Sequence, residues 1–218
     1  MRFFTADTHF SLADKSVIAR DYRPFDSLVS MNKKIIKTWN KQVSKDDIIF
    51  HLGDFVNYNY KDDKYYERCF KYVQKIKAKV ILLLGNNELR IMENIFNNNF
   101  EEFRKYLISL GFYDVIKDRI SLKIGDKEYV LNHFPSKCNK NKNNLFAHIH
   151  NTVFVKRYGF NVGVDNHYFK LFSENEIIEL EDRRKFFDEN VYEWQYFYRC
   201  KCRQIRKLRG LPLIFLFF

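Results

Sequence analysis

Five short polar clusters, each at the end of an apolar run, carry groups from which metal centres are built: Asp7-Thr8-His9, Gly53-Asp54, Gly85-Asn86-Asn87, Asn132-His133 and His148-Ile149-His150. They offer carboxylate, imidazole and amide donors. That mixture suits a first-row ion such as manganese, iron, zinc or nickel, whereas an all-oxygen set suits calcium or magnesium and thiolates suit structural zinc. Two such ions side by side lower the pKa of a bridging water and clamp phosphate oxygens during in-line displacement, so the natural reaction is hydrolysis of a phosphate ester. Taken singly, each donor has an ordinary use: a histidine after an apolar run is commonly a hydrogen-bonded core residue, and an asparagine after glycine a turn residue. Jointly, such donors at five successive strand ends favour a metal site.

The elements that must position these groups are legible around them. Arg2-Phe3-Phe4-Thr5-Ala6, Ile48-Ile49-Phe50-His51-Leu52, Val80-Ile81-Leu82-Leu83-Leu84, Tyr129-Val130-Leu131 and Leu145-Phe146-Ala147 are short β-prone runs that read as buried strands. Each cluster therefore falls where a strand gives way to a loop, the place where layered α/β folds put their sites. Glycine at 53 and 85 lets the backbone turn sharply and pass close to a bound ion or phosphate. Between the strands, Ser27 reads as the N-cap of a helix with Leu28, Met31, Ile35, Trp39 and Val43 on one face. A second helix is predicted from Asp62 to Lys77, with Tyr66, Phe70, Val73 and Ile76 on one side, and a third from Phe100 to Leu110; mostly strands are predicted from Ile116 to Ile178.

The order of the clusters, D-x-H, G-D, G-N-[H/N], H and an H-x-H in the place of the usual G-H-x-H, resembles that of the calcineurin-like metallophosphoesterases from the first strand to about residue 180. Phe3-Phe4-Thr5-Ala6-Asp7-Thr8-His9-Phe10, Arg23-Pro24-Phe25, Met31-Asn32, Trp39-Asn40, His51-Leu52-Gly53-Asp54-Phe55 and Asn161-Val162-Gly163-Val164-Asp165 are similar to the smaller bacterial and phage-type branch. The resemblance implies an α/β fold, a four-layer α/β/β/α sandwich of two mixed sheets, followed by a C-terminal helical, basic and aromatic tail. It also implies two divalent ions, manganese first among manganese, iron, zinc and nickel. Asp7, His9 and His150 would hold the first ion, Asn86, His133 and His148 the second, and Asp54 would bridge them. Asp54 and His133, with Asn87, are the residues the resemblance places at the chemistry.

Two departures stand out. Asn87 occupies the place of the family histidine that stabilises the transition state or protonates the leaving oxygen; an amide hydrogen-bonds a phosphate oxygen but delivers no proton. Ala147 stands where glycine is usual. Glu88 is expected to pair with a nearby base or to favour the start of the following helix. Arg23 is expected either to reach substrate phosphate, with Asn87, or to serve as a fold-stabilising donor. His51, inside an apolar run, is expected to be structural, and His167 to line the mouth of the site.

Composition bounds the rest. With 218 residues, 46% of them apolar and 18% aromatic, the chain can bury a full core, which excludes a disordered protein. No apolar stretch of membrane-spanning length and no secretory pattern is visible, so a cytoplasmic protein without a membrane span is expected. Cys69, Cys138, Cys200 and Cys202 form no zinc-type spacing and read as reduced thiols. The net charge of +11 fits either a solvated, lysine-rich surface or a polyanion partner. The domain is expected to cover residues 1–180 and a basic, aromatic extension residues 181–218. In that extension Arg183, Arg184, Lys185, Arg199 and Lys201 alternate with Phe186, Phe187, Tyr192, Trp194 and Tyr198. It would stack on single-stranded nucleic acid or lie on an anionic membrane; alternatively it is a helix that packs Phe187, Val191, Trp194 and Tyr198 on the domain. The functional expectation is a dinuclear metal-dependent phosphoesterase acting on a phosphodiester or nucleotide, with nucleic acid within its range. The alternative is a metal-binding scaffold of weak turnover, which Asn87 allows.

Overall fold

The computed structural model describes residues 1–12, 23–58 and 63–189. Residues Met1–Ile178 form one compact unit and Glu179–Phe218 a second. The first sheet is built from β1 (Arg2–Thr5), β2 (Ile48–His51), β3 (Lys79–Leu83), β4 (Asp114–Ile116) and β10 (Phe172–Ser173), in the order β10-β1-β2-β3-β4. β1 to β4 run parallel, with Thr5 beside His51 and His51 beside Leu82, while β10 adds an antiparallel edge. The second sheet has the order β5-β6-β7-β9-β8, from β5 (Arg119–Ile124), β6 (Lys127–Asn132), β7 (Asn143–Phe146), β8 (Val155–Lys156) and β9 (Gly159–Asn161). Its centre, β6-β7-β9, is parallel and its two edges are antiparallel.

Both sheets are mixed, as the layered α/β expectation requires. On the first, alternate residues Phe3, Ile49, Val80, Leu82 and Val115 join the apolar faces of the helices in one core. The residues between them, Phe4, Phe50 and Leu83, are equally buried, so the other face is covered too. The helices are α1 (Leu28–Trp39), α2 (Asp63–Phe70), α3 (Asn86–Ile95) and α4 (Phe100–Ser109). Ser27 caps α1 as its sequence suggests, accepting from the Ser30 N–H at 3.1 Å, and Leu28, Met31, Ile35 and Trp39 are its buried stripe. Val43 lies beyond the helix, in the turn that follows.

Aromatic residues concentrate under the first two polar loops. Phe10 and Phe55, which immediately follow His9 and Asp54, meet edge to face at 4.9 Å; Phe10 also meets Trp39 at 6.3 Å and Phe55 meets Phe112 at 5.0 Å. Such pairs contribute about 0.5–1.5 kcal/mol each beyond area burial. They anchor both loops to the core at a fixed depth.

Two boundary expectations are corrected. The second helix is α-helical only to Phe70 and continues as a tighter 3-10 segment, Lys71–Lys75. The strand-rich half does not reach Ile178: α5 (Glu174–Glu189) begins directly after β10. Its start is a capping box. Ser173 Oγ accepts from the Glu176 N–H at 3.2 Å, and Glu176 accepts from the Ser173 N–H at 2.8 Å. In the second unit the description ends at Glu189, where Glu181 and Arg184 form an ion pair at 3.0 Å. The expectations for the Phe187, Val191, Trp194 and Tyr198 side chains and for Cys200 and Cys202 lie outside the described residues. Among the described residues Cys69 and Cys138 are free thiols, and no helix is long and apolar enough to cross a membrane.

Candidate metal centre

The carboxyl ends of the parallel strands in both sheets converge on one place. β1, β2 and β3 deliver Asp7 and His9, Asp54, and Asn86; β6 and β7 deliver His133, and His148 and His150. The first two loops are stitched side by side beyond their strands: Asp7 N–H donates to Gly53 O, His9 N–H to Asp54 O (both 3.0 Å) and Phe10 N–H to Phe55 O at 2.8 Å. This stitching runs through left-handed backbone. Asp7, His9, Asp54, His148 and His150 all have positive φ, between 48° and 74°, so five of the seven candidate ligands occupy a region that costs about 1–3 kcal/mol for a non-glycine residue. Gly53 and Gly85 make the convergence sterically feasible: a Cβ on Gly53 would lie 2.5 Å from Gly85 N, and one on Gly85 would lie 2.3 Å from Asp54 Oδ1.

Two triads result. Donor atoms of Asp7, His9 and His150 lie within 4.8 Å of one another, and so do those of Asp54, His133 and His148. Asn86 joins the second, its Oδ1 being 3.1 Å from His133 Nε2, with His148 Nδ1 3.2 Å from the same nitrogen. Asp54 lies between the triads: Oδ2 is 3.7 Å from His9 Nε2 and Oδ1 is 3.7 Å from His133 Nε2. All seven candidate ligands are thus brought together.

Two imidazoles are oriented for ion binding, and His150 and the carboxylates must give up any proton they carry when an ion enters. His133 donates Nδ1–H to Leu52 O at 2.7 Å and His150 donates Nδ1–H to Asp165 Oδ2 at 2.9 Å, which leaves each Nε2 with a lone pair. Burial pushes His133 down to about 3 and His9 well below its ordinary value, so both are neutral. At His150 burial works against the charge, but the Asp165 hydrogen bond and the Asp7 carboxylate outweigh it and raise the pKa. Burial also pushes Asp7 up to about 7 and Asp54 to about 6, so the protein's own groups leave the site short of positive charge. Asp7 Oδ1 and both ring nitrogens of His9 are buried without a hydrogen-bond partner among the described residues. Buried polar atoms are seldom left so, and a cation is the partner that carboxylate and neutral imidazole share.

Around the donors stands a supporting set, part of which the sequence did not disclose. Glu88 is fully buried and meets no base. Its carboxylate accepts from four backbone N–H groups, those of Gly85 (3.0 Å), Asp54 (2.7 Å), Phe55 (3.0 Å) and Val56 (3.3 Å), tying the start of α3 to the Asp54 loop. Burial, reinforced by the Asp54 charge, raises its pKa to about 8. The glutamate at the third position of a helix is the sequence cue for the Gly85 bond, but nothing local announces the other three. Asp165 accepts from Arg23 Nε at 2.8 Å and Nη2 at 2.9 Å as well as from His150. Asn161 and Asn166 each donate a side-chain N–H to His150 O, at 2.7 and 2.9 Å, fixing that residue's backbone.

The remaining expectations divide. Arg23 is 4% exposed, and besides Asp165 it donates to Thr8 O at 2.9 Å and to Asp7 O, so its fork faces the protein, as the fold-stabilising alternative holds. Asn87 Oδ1 accepts from Tyr58 N–H at 3.1 Å, and both its backbone and its side chain hydrogen-bond the Asp54 carboxylate. His51 is buried and pairs with Thr8 Oγ1 at 3.0 Å; because Thr8 donates to Phe55 O, His51 is the donor in that pair. His167 does not line the site mouth. Its ring stacks on Phe172 at 4.1 Å and its Nε2 lies 3.3 Å from Glu176, the acceptor that also caps α5.

An uncharacterized protein of Methanocaldococcus jannaschii is 31% identical over 86 residues, which are 39% of this chain and 46% of that protein; the chain spans about half the length of the curated relative it matches. Among solved structures, a protein of unknown function from Aquifex aeolicus has 20% identity and a TM-score of 0.55, over 83% of this chain and 98% of the other, which is a shared fold. An archaeal phosphodiesterase has 19% identity over 76% of this chain and 86% of its own at a TM-score of 0.45, too loose a superposition to bear on substrate. The family model of the calcineurin-like phosphoesterases matches residues 3–202, and the chain belongs to that family.

Proposed function

We propose that the protein is a dinuclear metal-dependent phosphoesterase, with manganese its leading ion and a phosphodiester or nucleotide its favoured substrate. The observation that carries this reading is Asp54, a carboxylate of the second triad whose other oxygen lies 3.7 Å from His9 of the first. Asp7, His9 and His150 would hold one ion and Asn86, His133 and His148 the other, with Asp54 shared between them. The ions, when bound, supply Lewis acidity and an activated water. The chain's own residues do the rest. Leu52 O and Asp165 keep His133 and His150 in the tautomer that presents Nε2. Arg23 holds the Asp7 loop through two backbone carbonyls. Asn87 steadies Asp54 and brings no acid, so departure of the ester oxygen rests on its own stability. Residues 181–218 carry none of the chemistry.

Metal analysis and turnover together test the reading. Protein reconstituted with manganese is expected to hold two ions per chain and to hydrolyse an aryl phosphodiester only when loaded, and Asp54→Ala is expected to lose both properties. Two ions retained by Asp54→Ala would end the bridging assignment. Full metal binding with no turnover on any phosphate ester would favour the scaffold alternative that Asn87 supports.

A further inference from the structure

Three basic side chains among the described residues stand beside segments that carry the ligands: Arg23 against the Asp7 loop, Arg90 in the helix that begins at Asn86, and Lys137 four residues after His133. Two are engaged elsewhere. Arg23 is buried against Asp165 and two carbonyls. Lys137 Nζ lies 3.0 Å from Asp118 and 5.1 Å from the Phe134 ring. Arg90 differs: it is exposed, and its guanidinium has no hydrogen-bond or ion-pair partner among the described residues. Its backbone is ordinary helix, with its carbonyl accepting from Asn94 Nδ2 at 2.8 Å.

Position decides what that free fork can reach. Arg90 stands on α3 (Asn86–Ile95) four residues after Asn86 and three after Asn87, on the face both share. Helical side chains lean toward the N-terminus of their helix, which carries the guanidinium over the turn that presents Asn86 to the metal centre. In that turn Asn87 is uncharged and already committed to Asp54 and Tyr58, so it leaves the negative charge of an incoming phosphoryl group unanswered.

We propose that Arg90 binds the phosphoryl group of the substrate at the edge of the metal centre, supplying from the second turn of α3 the positive charge that Asn87 lacks. The inference rests on the phosphoesterase reading and adds a substrate contact to it. A guanidinium matches two phosphoryl oxygens through parallel N–H bonds, and being permanently protonated it neutralises charge without acting as an acid. It therefore restores only the electrostatic half of what a histidine would offer.

Calorimetric titration of manganese-loaded wild type, Arg90→Ala and Arg90→Lys with orthophosphate tests this, alongside steady-state hydrolysis of bis-p-nitrophenyl phosphate. Arg90→Ala is expected to bind orthophosphate about ten- to a hundredfold more weakly, with the loss in kcat/KM carried mainly by KM, because a charge-assisted pair is removed. Arg90→Lys should fall between, keeping the charge but not the fork. Metal content and melting temperature should not move, since the side chain is exposed. Equal orthophosphate affinity and equal KM in wild type and Arg90→Ala would overturn the assignment, as would a loss explained wholly by lower metal content. A loaded wild type that neither binds orthophosphate nor cleaves the diester would instead bring down the phosphoesterase reading, and Arg90 with it.

Discussion

Asp165→Asn is the substitution through which the support of the first triad is most directly measured. The Asp165 side chain is 10% exposed and the Arg23 side chain 1%, so the pair is effectively out of water. Burial alone would push the Asp165 carboxyl up, but the Arg23 charge and the hydrogen bonds from His150 and Arg23 hold it well below the usual carboxylate range. An asparagine keeps the outline and loses the charge. One of its two terminal atoms becomes a donor, and if that atom replaces Oδ2 it faces Arg23 Nη2 and His150 Nδ1–H, two donors at 2.9 Å. Removing one partner of a buried ion pair costs about 3–5 kcal/mol, chiefly because the other charge is stranded. At about 2–4 °C per kcal/mol for a domain of this size, the metal-free protein should melt about 6–20 °C lower. With its oxygen in the Oδ2 place the amide still accepts from His150, but a neutral acceptor holds that ring less firmly than a carboxylate, so on the proposed ligand assignment the affinity for the ion at the His150 triad should fall while the His133 triad keeps its own. Urea unfolding in chelator and elemental analysis of the reconstituted variant measure both effects. A cost below about 1 kcal/mol, or two ions bound as tightly as in wild type, would refute the placement of Asp165 behind His150.

Two further outcomes follow from other contacts. Burial would raise the Glu176 carboxyl, but hydrogen bonds from His167 and Ser173 prevail and bring it down to about 2 from 4.5. Its stabilising contribution is therefore complete above pH 4.5 and fades as the pH falls toward 2. Because the group is 41% exposed, Glu176→Gln should cost only about 1 kcal/mol at pH 6 in denaturant titrations and nearly nothing at pH 2.5, and a pH-independent cost would contradict the capping role. Asn87→His should raise kcat for alkyl and nucleoside leaving groups more than for aryl ones, because it restores a proton donor worth typically about 10²–10⁴-fold. A uniform change across leaving groups in a rate series would show that residue 87 does not meet the departing oxygen.

How much of this was legible in the sequence depended on distance along the chain. Asp7, Asp54 and His133 were readable because each follows an apolar run, and a strand end is a local event. The Ser27 cap and the α1 stripe were local as well. The start of α5 was available in Ser173-Glu174-Asn175-Glu176, an S-x-x-E box, inside the stretch expected to be mostly strand. Glu88 and Asp165 were a different matter. Glu88 reaches back 34 residues to Asp54 N, and Arg23 reaches 142 residues to Asp165. Pairings of that separation leave no period or spacing in either segment and are settled only when the two sheets meet.

The same separation governs when an ion can be captured. The donor groups begin at Asp7 and end at His150, and neither triad lies within one continuous stretch of chain. No fragment that ends before residue 150 holds both candidate triads, so on the proposed assignment synthesis past that residue and docking of the second sheet would precede loading. Such long-range closure is slow compared with helix formation, so on the proposed assignment an ion would be bound only after it. On the proposed reading the left-handed loops would then present their donors already aimed, and an ion would be a late addition to the fold rather than a nucleus of folding.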